Sequence, residues 1–130
     1  MNTPIPSSLR YTFMLGAVAS FITGVPSLLV PLMVVQLSGL DPKAVPAIQQ
    51  AGALTFGYFI AGLMCLRATN WEQVRITVAS SAIVFTLSAI GAFYYVVLQG
   101  VVTIGLIVIL AASIVLALAF GYFYFTLSKK

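Results

Sequence analysis

Charged residues are nearly absent from this 130-residue sequence, which has six Lys and Arg and two Asp and Glu, or 6% of the chain. A soluble domain averages roughly a quarter charged residues, so this composition cannot cover the surface of a water-soluble globule. The same shortage excludes an intrinsically disordered chain and a nucleic-acid-binding domain. Because 62% of the residues are hydrophobic, we expect an integral membrane protein.

Groups that ligate metals or transfer protons are equally scarce. The sequence has no histidine and one cysteine, Cys65, so no internal disulfide can form. Met64 and Cys65 are soft ligands, but adjacent helical residues diverge by about 100° and do not converge on one metal. We expect no enzymatic activity and no cofactor or metal held by side-chain ligands. A lipid, quinone or pigment held by apolar contacts alone stays open.

What the sequence does contain is four long apolar runs. A helix crossing a bilayer needs roughly 20 mostly apolar residues, and lipid leaves no water for unpaired backbone groups. The runs therefore predict an all-α fold, four transmembrane helices in one antiparallel bundle that forms a single membrane domain over residues 1–130. The predicted helices cover about residues 11–37, 47–66, 71–98 and 101–127.

Turn residues separate these runs. Asp41 and Pro42 suit a helix N-cap followed by proline at the first helical position. Residues 69–73 hold two overlapping capping-box spacings, which predict a tight start for the third helix. Gly100 suits a helix C-terminus, where a left-handed residue ends the span.

Two prolines, Pro26 and Pro31, interrupt the first run, and each removes a backbone hydrogen bond. One interpretation is a broken helix that lines a site, as in transporters. The other, which we favour, is that Pro26 bends the span and Pro31 lies near the outer interface. Arg10 and the apolar residues after it imitate a signal peptide, but hydrophobicity continues well beyond Ala19, so we expect an uncleaved span.

Charge placement predicts the orientation. If successive run ends alternate between the two sides of the membrane, one side receives five cations and the other receives one. The positive-inside rule then places both termini in the cytoplasm. The five are Arg10, Arg67, Arg75, Lys129 and Lys130, and the one is Lys43.

No ionisable residue lies near the middle of a predicted span, so the sequence lacks the usual signature of ion-coupled or proton-coupled transport. Glu72 and Arg75, one helical turn apart, are expected to form a surface ion pair. The chain departs from small multidrug transporters, which need a membrane-embedded glutamate. It departs equally from small fluoride channels, which need an embedded asparagine.

A broader resemblance covers about Arg10 to Leu127. The chain resembles small bacterial four-helix membrane proteins, broadly those of DoxX-like architecture, in the order of three features. These are Leu40-Asp41-Pro42, then a Gly- and Ala-rich second helix (Ala51-Gly52-Ala53, Gly57, Gly62), then Leu66-Arg67-Ala68. Those relatives often place an arginine where this chain has Gln49-Gln50. The resemblance implies a bacterial inner (plasma) membrane or an internal energy-converting membrane, and it implies no activity.

Small residues spaced four apart remain as the main signal, because helices in lipid associate through close backbone approach. Three helices carry such triplets, and they mark contact faces either within the bundle or toward partner subunits. We expect a large side chain at Gly57 to force neighbouring helices apart. The candidates for helix packing are Gly16, Ser20 and Gly24, then Ala53, Gly57 and Ala61, then Ser113, Ala117 and Gly121.

These features favour a non-enzymatic accessory or structural subunit of a larger membrane complex, such as an energy-converting or transport assembly. Its expected partners are membrane lipids and other membrane protein subunits, and no nucleic acid. The alternative is a small oligomeric transporter or channel with a pathway between protomers. The only polar lining for such a pathway would come from Ser81, Thr86, Ser88 and Ser113.

Overall fold

The computed structural model describes residues 3–129 and contains five α-helices within that range. A short 3-10 turn (Pro42–Ala44) precedes the third helix, and a π-helical turn (Tyr94–Leu98) continues the fourth. The described part of the chain has no β-strand, so the all-α prediction is confirmed. The helices are α1 (Ser7–Leu29), α2 (Pro31–Leu37), α3 (Val45–Leu66), α4 (Trp71–Phe93) and α5 (Ile104–Leu127).

Four of the helical segments are long and apolar enough to cross a membrane, as predicted. They contain 23, 25, 28 and 24 residues. At 1.5 Å per residue even 23 residues extend about 34 Å, which exceeds the hydrocarbon thickness of about 30 Å. By length and composition these helices identify a membrane protein. The segments are Ser7–Leu29, Pro42–Leu66, Trp71–Leu98 and Ile104–Leu127.

The first predicted helix is in fact two helices, because the chain leaves helical geometry at Val30 (φ −132°, ψ 52°). A residue before proline is disfavoured in the α region, and Pro31 then starts α2. Pro26 lies inside α1 without ending it, and its carbonyl accepts the Val30 N–H at 2.9 Å. Since α1 alone is long enough to cross a bilayer, Pro31 lies just beyond the end of this candidate span.

The predicted capping box is confirmed in one of its two spacings. Asn70 accepts a hydrogen bond from the Gln73 backbone N–H at 3.2 Å, and the Gln73 side chain accepts from the Asn70 N–H at 3.4 Å. The Thr69 N–H also donates to the Gln73 side chain, at 2.8 Å. These bonds satisfy donors that a helix start would otherwise leave unpaired.

The loop before α5 is longer than predicted. Gly100 has φ +65°, the left-handed conformation expected of it. However, α5 begins at Ile104 rather than near residue 101, because the Thr103 hydroxyl accepts the Leu106 N–H at 3.2 Å and acts as the N-cap. Asp41 likewise caps the 3-10 turn, accepting the Lys43 N–H at 2.7 Å.

Contacts divide the chain into two compact units. The terminal unit combines Met1–Thr12 with Arg67–Lys130, and the central unit is Phe13–Leu66. Helix α1 therefore begins in the terminal unit and continues in the central one. In the terminal unit α4 and α5 pack along each other, and Phe85 stacks on Phe120 with centroids 5.9 Å apart.

The N-terminal segment is bound to the start of α4 within the terminal unit. The Trp71 N–H donates to the Thr3 carbonyl at 2.9 Å, and Pro4 forms an isolated β-bridge with Asn70. The Trp71 ring is buried and lies 6.4 Å from the Tyr124 ring. Thr3 and Pro4, the first turn of α4 and the last turns of α5 therefore meet at one end of this unit.

Candidate functional site

In the central unit, α1 and α3 approach each other closely at two glycines. A Cβ added at Gly24 would lie 2.9 Å from the Phe56 backbone nitrogen. A Cβ added at Gly52 would lie 2.5 Å from the Leu28 nitrogen and 2.7 Å from the Ser27 carbonyl carbon. Because these neighbours are backbone atoms, they cannot turn aside, and glycine is required at both positions.

The same seam continues along α1 at Ala17. The Ala17 side chain lies 3.1 Å from a Cβ placed on Gly62, a second close approach between α1 and α3. The α1 residues at the contact, Ala17, Gly24 and Ser27, are spaced by seven and three. That spacing is typical of the 3.5-residue repeat of coiled-coil packing.

The small-residue triplet predicted on α1 therefore coincides with buried positions. Gly16, Ser20 and Gly24 are all buried, and Ser20 is 6% exposed. Of the three, Gly24 makes the close backbone contact with α3 described above.

The triplet predicted on α3 lies elsewhere. Ala53 and Gly57 are exposed and Ala61 is half-buried. A Cβ at Gly57 meets no atom of the described chain within 4 Å, so the expected clash with a neighbouring helix is absent here. The contact with α1 is made instead by Gly52 and Gly62. We call Ala53, Gly57 and Ala61 the open α3 face.

The triplet on α5 divides between a buried contact and an open groove. Ser113 is buried, and its hydroxyl donates to the Ser88 hydroxyl of α4 at 3.0 Å. Ala117 and Gly121 line an open groove of about 600 Å³ between α4 and α5, where a Cβ on Gly121 has no described atom within 4 Å.

This groove, the α4/α5 groove, is built largely from small and aliphatic side chains. Ala82 and Thr86 form its α4 side opposite Ala117 and Gly121. The Thr86 hydroxyl donates to the Ala82 carbonyl at 2.7 Å, so it is satisfied within its own helix. A partner helix or a lipid chain would therefore meet an apolar surface with small residues on both sides.

Sequence reasoning missed the residues that complete the break between α1 and α2. The Gln49 amide donates to the Leu28 carbonyl at 3.3 Å, one of the carbonyls that the end of α1 leaves without a helical partner. Gly52, one turn further along α3, allows the two backbones to approach. Proline before α2 was visible in the sequence, but no local pattern identifies a partner twenty-one residues away.

Charged side chains form one ion pair in the described part of the chain. Arg75 Nη1 lies 3.9 Å from Glu72 Oε2, with both side chains largely exposed, so the predicted surface pair is confirmed. Such a pair contributes a few tenths of a kcal/mol. Between residues 3 and 129, no three His, Cys, Asp or Glu side chains are grouped closely enough to hold a metal.

No family model, curated protein or solved structure matches this chain. The contact surfaces of the two units are therefore the features from which its function is inferred. In the α1–α3 seam two helices already pack against each other. The open α3 face and the α4/α5 groove have no described helix packed against them.

Proposed function

We propose that this protein is a non-enzymatic accessory subunit that docks onto a larger membrane protein complex, such as an energy-converting or transport assembly. The observation that carries the proposal is the open α3 face. Small residues in lipid-facing helices provide association energy only when another backbone packs against them. At Gly57 no atom of the described chain does so.

The α4/α5 groove supports the same conclusion on the terminal unit. Its small residues, Ala82, Thr86, Ala117 and Gly121, offer a second surface on which a helix could pack closely. Each of the two compact units thus carries one surface of small residues that its own helices leave uncovered. Exposed aliphatic side chains surround them, as Leu118 (70%) and Ile83 (60%) illustrate.

Orientation follows from the charges. We propose that successive spans cross the membrane in opposite directions, with both termini cytoplasmic and Lys43 on the outer side. A bacterial inner membrane or an internal energy-converting membrane fits this arrangement. The contacts that join Thr3 to Trp71 and Trp71 to Tyr124 support a common side for the segments that carry most of the cations.

The alternative, a channel or transporter between protomers, has less support. Two of its four candidate lining hydroxyls, Ser88 and Ser113, bond to each other in the contact between α4 and α5. Paired hydroxyls of this kind hold helices together in lipid. They favour a packing role over the lining of a pathway.

The test is Gly57→Leu, read by native gel electrophoresis of gently solubilised membranes. We expect the parent chain to migrate with other polypeptides and the variant to be released from them. The thermal stability of the purified variant should stay near that of the parent, since Gly57 faces open space.

Gly91→Leu is the matched control, because Gly91 on α4 is also exposed and also has no described atom within 4 Å of an added Cβ. It lies outside the open α3 face and outside the α4/α5 groove, so it should leave the complex intact. If Gly57→Leu migrates with the same polypeptides as the parent, the open α3 face is not the docking surface.

A further inference from the structure

The terminal unit carries an exposed basic end, formed by Arg10, Arg67, Arg75 and Lys129. Three contacts bring the segments with these cations together. Arg10 Nη2 donates to the Ala68 carbonyl at 3.2 Å, the Trp71 N–H donates to Thr3 at 2.9 Å, and the rings of Trp71 and Tyr124 lie 6.4 Å apart.

The basic end has little negative charge to offset it. Glu72 is the only acid in the described part of the terminal unit, and it lies 3.9 Å from Arg75. Four cations against one anion leave a net charge of +3. The other acid of the chain, Asp41, belongs to the central unit.

Aromatic side chains flank this charge. Tyr11 follows Arg10 directly and is 64% exposed, while Tyr122 and Phe125 precede Lys129 and are 65% and 67% exposed. Exposed Tyr beside Lys and Arg at a helix end is typical of the membrane–water interface, where lipid headgroups lie. With the membrane location proposed above, the cations lie at the depth of phosphate groups.

We infer that the basic end binds anionic phospholipid headgroups and selects them over zwitterionic ones. The inference rests on the membrane location and orientation in the proposed function, and not on the docking partner. An arginine has five N–H donors in a fork that matches phosphate oxygens, so the single bond of Arg10 to Ala68 leaves donors for a headgroup. Each cation near an anionic surface contributes about fivefold to lipid binding.

The experiment uses the full chain reconstituted in vesicles of equal parts phosphatidylglycerol and phosphatidylcholine with matched acyl chains. After gentle solubilisation, mass spectrometry gives the ratio of the two lipids retained by the protein. We expect the retained ratio of phosphatidylglycerol to phosphatidylcholine to be about five or higher, against a ratio of one in the vesicle. The enrichment should fall in about 1 M NaCl, where the screening length is about 3 Å.

The double variant Arg10→Gln with Arg67→Gln removes two of the four cations and should lower the ratio severalfold, with Arg75 and Lys129 accounting for any preference that is left. Arg10→Lys with Arg67→Lys keeps the charge and should retain most of the enrichment. Lys43→Gln removes a cation of the central unit and should leave the ratio unchanged. Circular dichroism of each variant establishes that the helices are intact.

Equal retention of the two lipids by the parent chain would overturn the inference. So would an enrichment that Lys43→Gln abolishes and the arginine variants do not. If vesicles show no preference while the arginine variants release the chain from its native complex, the basic end binds an acidic protein instead. Gly57→Leu should not alter the lipid ratio, so a failure of the docking proposal is distinguishable from a failure of this one.

Discussion

Replacing Gly52 by alanine should break the α1–α3 seam, although the change adds a single methyl group. The added Cβ would lie 2.5 Å from the Leu28 nitrogen, 2.7 Å from the Ser27 carbonyl carbon and 2.8 Å from the Ser27 Cβ. This steric clash can be relieved only if one helix moves away from the other. Overpacking of this kind costs about 1–3 kcal/mol. Separation would also lengthen the 3.3 Å hydrogen bond from Gln49 to the Leu28 carbonyl.

Gly57→Ala on the same helix is the matched control. It adds the same methyl group where no described atom lies within 4 Å, and alanine in a helix interior is favoured over glycine by about 1 kcal/mol. Gly52→Ala gains the same helix propensity, so the two variants should differ in the free energy of unfolding by the overpacking cost alone, about 1–3 kcal/mol. Titration with a denaturing detergent, followed by circular dichroism, measures this difference. If Gly52→Ala and Gly57→Ala unfold at the same detergent concentration, the close approach of α1 and α3 is refuted.

Two further predictions concern the helix start and the orientation. Asn70→Ala removes the side-chain acceptor of the capping box and should lower the free energy of unfolding by about 0.5–2 kcal/mol, measured by the same titration; an unchanged midpoint would show that the cap is not used. In a Cys65→Ser background, a cysteine at Lys43 should react with an impermeant thiol reagent applied to intact cells, whereas one at Glu72 should react only after the membrane is opened. The opposite labelling pattern would reverse the proposed orientation.

Helix ends were largely predictable because polar and conformational signals mark them. The capping residues before Trp71, the left-handed Gly100 and the N-cap Asp41 all act as their sequence predicts. Helix existence was equally clear, since a bilayer sets a minimum apolar length. The start of α5 was misplaced because Thr103 caps it three residues beyond Gly100.

The contact faces were much less predictable. In a water-soluble helix the polar side marks the surface, but lipid is as apolar as the interior, so hydrophobicity does not distinguish the two sides of a membrane helix. On α3 the four-residue spacing predicts a contact at Ala53 and Gly57, whereas Gly52, about 100° around the axis from Ala53, makes the contact with α1. Gly52 is therefore buried against α1, whereas its neighbour Ala53, which is of similar size, is exposed.

The central claim, that this chain works bound to partner subunits, is tested most directly by the mass and composition of the particle released from native membranes by a mild detergent. We predict a particle much larger than the 13.8 kDa chain, containing other membrane polypeptides in fixed ratio. A particle that contains only copies of this chain would contradict the claim. Solute flux through reconstituted vesicles that Thr86→Val abolishes would then establish the channel in its place.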